Sequence, residues 1–138
     1  EVRIDLPVDA HIPESYLSDQ ELRLEAYRRL AATTTPEQVD DVVSEWVDRY
    51  GDLPPEAESL ISLARLRVEA IRVGLSEIVK LRQEVRMGPV DLKPSQEVRL
   101  SRLKKGAVLR ASEGLIFIPA SEPLVEDLID FVKRMWAD

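Results

Sequence analysis

The sequence predicts an α+β fold with helices and strands largely segregated: an N-terminal edge strand, a three-helix segment, a small, mostly antiparallel sheet and a C-terminal helix. Three observations carry this. Residues 2–12 alternate apolar and polar, which is a strand period. Residues 18–73 hold three stretches with apolar residues at helical spacing. After Gly74 the pattern turns to short β-leaning runs broken by glycine and proline, until a last helical stretch.

In the first strand Val2, Ile4, Leu6, Val8, Ala10 and Ile12 share one side. Proline offers no N–H to a ladder, so Pro7 and Pro13 confine this segment to an edge or break it in two. Such an arm suits pairing with a sheet outside this chain. Ser18-Asp19-Gln20-Glu21 reads as a capping box with Ser18 as the cap. The helix that follows puts Leu22, Ala26, Tyr27, Leu30 and Ala31 on its apolar face and Arg23, Glu25, Arg28 and Arg29 away from it. Thr33-Thr34-Thr35 stops it.

Thr35 and Pro36 open a second helix as N-cap and first helical residue. Val39, Val42, Val43, Trp46 and Tyr50 form its apolar stripe; Glu37, Asp40, Asp41, Glu45 and Asp48 form the opposite one. Gly51 stands where a helix end favours positive φ. Beyond the rigid Leu53-Pro54-Pro55 elbow, a third helix spans residues 55–73. Ala57, Leu60, Ile61, Leu63, Ala64, Leu66, Val68 and Ile71 make it apolar on more than one side, as a central helix requires.

Past Gly74, the nearest thing to a boundary, residues 77–82 and 84–92 read as strands around Gly88-Pro89. A polar helix spans 94–105 and stops at Gly106. Residues 108–111 and 115–118 flank Ser112-Glu113-Gly114 as a hairpin. Ser121 caps a last helix over 122–136, with Leu124, Leu128, Val132, Met135 and Trp136 inward.

The 138 residues are one domain's length, and 44% apolar with 33% charged residues is the balance of a soluble globular chain. The chain has no cysteine and one histidine, so disulfides and the usual zinc sites are excluded. No apolar run approaches the roughly 20 residues of a membrane helix. The chain starts at Glu1 without Met or a signal-like stretch, which fits a mature or excised piece and an expected cytoplasmic location. Charge is uneven: residues 1–60 carry 15 acids against 5 bases, residues 61–138 carry 11 against 14. The acidic first half disfavours nucleic acid and suits a basic protein surface.

Little in the sequence looks catalytic. The five glycines form no phosphate-cradling loop. His11 lies beside Ile12-Pro13 with no nucleophile or base near it and reads as a histidine with an ordinary hydrogen bond. General acid–base work needs one carboxylate of a pair desolvated, whereas pairs such as Glu37/Asp41 and Glu126/Asp130 lie opposite apolar stripes, on faces expected to be wet. Docking is the more specific use. Glu37, Asp41 and Glu45 stand at i, i+4 and i+8, a spacing at which like charges weaken an isolated helix. With few bases nearby in sequence, such a stripe suits an arginine-bearing partner, so Glu37, Asp40, Asp41, Glu45 and Asp48 are the candidate binding residues. Arg99, Arg102, Lys104, Lys105 and Arg110 form a basic cluster, and a DNA-binding adaptor built on it is the alternative function. No aromatic residue lies between them to stack on a base.

Several blocks carry a family resemblance. Ile4-Asp5-Leu6-Pro7, Ile12-Pro13-Glu14-Ser15-Tyr16, Arg23-Leu24, Tyr27 and Arg29-Leu30-Ala31 resemble the C-terminal domain of bacterial transcription-repair coupling factors (Mfd). So do Trp46-Val47-Asp48-Arg49-Tyr50-Gly51, Leu53-Pro54 and Ala64-Arg65-Leu66-Arg67. The blocks cover roughly the first 75 residues; beyond Leu75 only the general layout is similar. The resemblance implies that residues 1–138 are a single C-terminal regulatory domain excised from a larger multi-domain protein. It implies a parent that is an ATP-driven translocase on duplex DNA, contacting RNA polymerase and UvrA through other domains, with ATP and magnesium held there and no cofactor here. It implies a non-catalytic, autoinhibitory domain that packs on the parent's own UvrA-binding module and restrains the motor. The family brings no catalytic residue to carry over, and the acidic stripe is a reading of the residues alone. No membrane partner is implied, and the exposed edge strand and orphaned docking face leave the excised domain open to self-association.

Overall fold

The computed structural model describes residues 1–137. It is an α+β fold with five α-helices and a five-stranded mixed sheet. The chain forms two compact units: Val8–Val68, which is helical, and Glu1–Pro7 together with everything from Glu69 onward, which holds the sheet. The division falls at Val68/Glu69 rather than at Gly74, and the first seven residues join the later unit. Among the described residues no helix is long and apolar enough to cross a membrane.

The helical unit contains α1 (Gln20–Ala31), α2 (Pro36–Tyr50) and most of α3 (Pro55–Val73). Its core joins Ile12 and Leu17 to Ala26 and Leu30 of α1, Val39, Val42 and Trp46 of α2, and Ile61, Ala64 and Val68 of α3. The second half of the expected strand is therefore not a strand. After Pro7 the chain leaves the sheet, and the Ile12 N–H donates to the Tyr27 hydroxyl at 2.7 Å while that of His11 donates to the Glu56 carbonyl at 3.2 Å. Burial of Ile12 and Leu17 among helices drives this better than an edge ladder interrupted by proline.

Helix α1 is capped by Asp19, not Ser18: the Asp19 carboxylate accepts the Leu22 N–H at 3.0 Å. A carboxylate one residue closer serves the same orphan amides and adds a favourable charge at the positive helix end. This leaves Leu22 at the edge of the apolar face, 37% exposed. Helix α2 matches its expected bounds, with the Thr35 hydroxyl accepting from the Gln38 N–H at 3.2 Å and Gly51 at φ 91° closing the end.

Two residues hold the far end of α1. The Thr33 hydroxyl donates to the Leu30 carbonyl at 2.6 Å, and Arg67 of α3 donates to that carbonyl at 3.1 Å and to the Thr33 oxygen at 2.9 Å. Thr33 is buried, so these groups replace the water a frayed helix end would recruit.

In the other unit the strand order is β1 (Arg3–Asp5), β2 (Glu77–Leu81), β3 (Glu84–Gly88), β5 (Leu115–Pro119) and β4 (Val108–Arg110). Among the described residues β1 and β2 pair in parallel and the other neighbouring strands antiparallel. One face carries Ile78, Val85, Met87, Ile116 and Ile118, all buried. Helix α4 spans Pro94–Leu103 and α5 Leu124–Met135. Leu124, Val125, Leu128, Phe131, Val132 and Met135 are the buried face of α5. Pro123, not Ser121, is the N-cap of α5, because a proline disfavours helical backbone at Glu122 before it. Trp136 follows α5 as its C-cap residue, half-buried and edge-on to Phe131 at 6.3 Å between ring centres. Gly88 stands where a Cβ would lie 2.7 Å from Leu115 Cδ2 and 2.8 Å from the Gly114 carbonyl oxygen.

Two stability measurements follow. Thr33→Val is expected to lower unfolding free energy in urea by about 1–3 kcal/mol, the cost of stranding buried hydrogen-bonding groups. Gly88→Ala is expected to cost about 1–3 kcal/mol, since backbone must move to admit the methyl group.

Candidate functional site

Helix α2 presents the acidic face, and its neighbours sort the five carboxylates. Glu45 meets Arg29 of α1 in a close ion pair and lies 3.8 Å from Arg49, one turn on. Asp40 pairs with Arg65 of α3 at 2.8 Å. Glu37, Asp41 and Asp48 are exposed and form no ion pair among the described residues. These three stand at i, i+4 and i+11, within about 40° of one another around the helix axis. Glu45 and Asp40 flank that crest on the α1 and α3 sides. The uncompensated stripe is therefore Glu37, Asp41 and Asp48 rather than the run through Glu45.

The counter-charges were the part hidden from sequence. Arg49 is visible at i+4 from Glu45, but Arg29 and Arg65 come from other helices and meet their partners only in the packed unit. Arg29 was expected to point away from the core, and it does; that outward direction is where Glu45 lies.

The clefts beside α2 are shallow. One of about 60 Å³ lies between α1 and α2, lined by Leu22, Glu25, Arg29, Glu45, Arg49 and Tyr50. Another of about 210 Å³ is lined by Arg29, Ala32, Thr33, Gln38, Asp41 and Val42. Neither encloses a pair of buried acids, the arrangement that a carboxylate-based hydrolase needs. Among the described residues no group of three or more His, Asp or Glu is placed to hold a metal ion. His11 is exposed, its Nδ1 2.9 Å from the Asp9 carboxylate.

The basic cluster does not converge. Arg99 donates to the Met135 carbonyl at 2.9 Å. Lys104 is mostly buried and holds both Asp127 oxygens, at 2.7 and 2.8 Å. Arg110 lies 3.6 Å from Glu113 and over the Phe117 ring at 5.1 Å. Arg102 and Lys105 remain exposed. The side chains are turned to separate intramolecular tasks, and no continuous phosphate-tracking stripe results.

Tyr16 secures the end of α2 nearest Asp48. Its hydroxyl lies 2.7 Å from the Gly51 carbonyl and 3.1 Å from that of Trp46, and its ring meets Tyr50 edge-on. Burial raises its pKa, helped by the negative charge of Asp52 and by Tyr50. The folded state thus disfavours the phenolate. The stabilisation is fully present below the unfolded value of about 10 and is lost as pH climbs from there through the higher folded value.

A model of the TRCF domain matches residues 6–101. The match extends past Leu75, where the sequence blocks end. The transcription-repair-coupling factors of Mycobacterium bovis and Mycobacterium tuberculosis are each 44% identical over 120 residues, covering 86% of this chain and 10% of theirs. That of Staphylococcus aureus strain USA300 is 33% identical over 78 residues, 56% of this chain and 7% of its own. The chain thus spans about a tenth of the length of the mycobacterial relatives. A crystal structure of the C-terminal domain of transcription-repair coupling factor superposes with TM-score 0.85 over 99% of this chain and 92% of that one, at 15% identity, which shows the shared fold.

In alkaline unfolding, the Tyr16 contribution to stability is expected to fade above about pH 10, and Tyr16→Phe to reduce that loss while lowering the pH 7 value by about 1 kcal/mol. Denaturant melts at both pH values check this.

Proposed function

This chain belongs to the TRCF domain family of the transcription-repair coupling factors, and on that premise we propose that it is a non-catalytic, autoinhibitory domain of a larger parent. In this reading all 138 residues act as one regulatory domain. It packs on the parent's own UvrA-binding module, covers the surface that recruits UvrA, and restrains the motor. ATP with magnesium, duplex DNA and RNA polymerase engage the parent elsewhere, and the protein works in the cytoplasm.

One observation supports the reading at the level of residues: the crest of α2 holds Glu37, Asp41 and Asp48 exposed and, among the described residues, without counter-ions, while the acids beside them are neutralised by Arg29, Arg49 and Arg65. A line of unpaired carboxylates is complementary to a basic surface and selects against an acidic one. An intramolecular contact has a high effective concentration, so a modest polar interface suffices to hold a closed state. A closed state favoured by about 3 kcal/mol hides the covered surface about 99% of the time. The same modest energy lets a competing partner open it.

Glu37→Lys, Asp41→Lys and Asp48→Lys combined in the parent are expected to raise UvrA capture severalfold, with the thermal unfolding of the domain little changed. The contact between domain and module is expected to weaken with added salt. UvrA capture equal to wild type by a folded triple variant would reject the α2 crest as the covering face.

A further inference from the structure

Among the described residues the sheet ends on β1, with no strand on its other side. Its ladder with β2 fixes which of its groups are in use. The Arg3 N–H donates to the Ser76 carbonyl at 2.9 Å, and the register pairs Arg3 with Glu77, Ile4 with Ile78 and Asp5 with Val79. In a parallel ladder alternate residues turn both peptide groups to the same neighbour. Arg3 and Asp5 therefore serve β2, and Ile4 turns its N–H and C=O to the open edge. Val2 and Leu6 follow by the same period, which the alternating burial of residues 1–10 continues. Pro7 falls on the inward parity, so its missing N–H subtracts nothing from the outward edge.

The side chains make this edge self-complementary. We infer that the β1 edge is a docking site for the β1 edge of a second copy of this chain, paired antiparallel about a two-fold axis at Ile4. That register sets Ile4 opposite Ile4, Val2 opposite Leu6 and Arg3 opposite the Asp5 of the other copy. The outward groups of Val2, Ile4 and Leu6 then complete a ladder, and two inter-chain ion pairs form on the face that carries Glu77 and Arg86. Arg3 and Asp5 are free to do this. Their side chains are 63% and 65% exposed, and their mutual contact is a long 3.4 Å, with Arg3 at 3.6 Å from Glu77.

The opposite edge lacks this property. A two-fold pairing of β4 about Leu109 would set Arg110 against Val108 and gain no ion pair. Charges on an edge ordinarily block strand addition. In β1 the two signs, two residues apart, instead specify one register and one partner. The ladder is short because the chain leaves the sheet after Pro7, so the contact is small and the dimer weak, with a dissociation constant on the order of 0.1–1 mM.

Sedimentation equilibrium of the 138-residue chain from about 10 µM to about 1 mM tests this. The wild-type average mass is expected to rise toward the dimer. Arg3→Asp alone places like charges opposite each other, as does Asp5→Arg alone, and each is expected to weaken association at least tenfold. An equimolar mixture of the two restores opposite charges at both positions and is expected to restore the dimer. The double swap Arg3→Asp/Asp5→Arg, self-complementary in itself, is expected to associate as wild type does. A wild-type chain that stays monomeric at the highest concentration overturns the inference. So do folded single variants that associate normally, or a mixture and a double swap that both stay monomeric.

Discussion

A helix that ends inside a protein leaves carbonyls with no amide to receive, and this fold meets that demand with side chains reaching in from other elements. Arg67, together with Thr33 just past the helix, holds the Leu30 carbonyl in the last turn of α1. Tyr16 holds the end of α2. Arg99 donates to Met135 and Arg72 to Trp136 at the end of α5. The contacts made by Arg67, Tyr16, Arg99 and Arg72 join segments distant in sequence, so they fix where one element stops and which neighbour lies against it. Among the described residues no buried side-chain nitrogen or oxygen lacks a partner, which is the condition for such polar locks to stabilise.

This use of cations has an electrostatic consequence. Arg67 and Arg99 reach carbonyls, while Arg72, Lys104 and Arg86 hold Glu69, Asp127 and Glu77. The chain carries 26 acids against 19 lysines and arginines, so the uncompensated remainder is negative. Along α2 that remainder is concentrated rather than diffuse, because Arg29 and Arg65 neutralise the two flanks and reach no further. A docking face made this way needs no cavity and no titrating group. It needs a rigid helix, held by its Thr35 cap at one end and by Tyr16 at the other.

Much of the fold was legible because it rests on local signals. Thr35-Pro36 and Gly51 bound α2, and proline and glycine bound α3, with physics confined to one turn. The expectations that failed involved a choice between two adequate local solutions. Ser18 and Asp19 are both competent caps, and the backbone took the carboxylate. Residues 8–12 have a strand period, yet Ile12 gains more by burial among helices than by extending an edge. In the basic cluster, proximity in sequence suggested a shared surface, but strand and helix geometry turned Arg99, Lys104 and Arg110 to three different partners.

The sequence by itself determined the order and kind of the elements, the acidic bias of α2 and the charge-symmetric Arg3-Ile4-Asp5 strand, since periodicity, capping and charge are properties of neighbours along the chain. Tertiary structure alone decided which carboxylates remain unpaired and which strand lies beside the N-terminal edge strand. Ion pairs such as Arg65–Asp40 and ladders such as β1–β2 join residues far apart in the chain. Their existence depends on a packed geometry that no window of sequence contains.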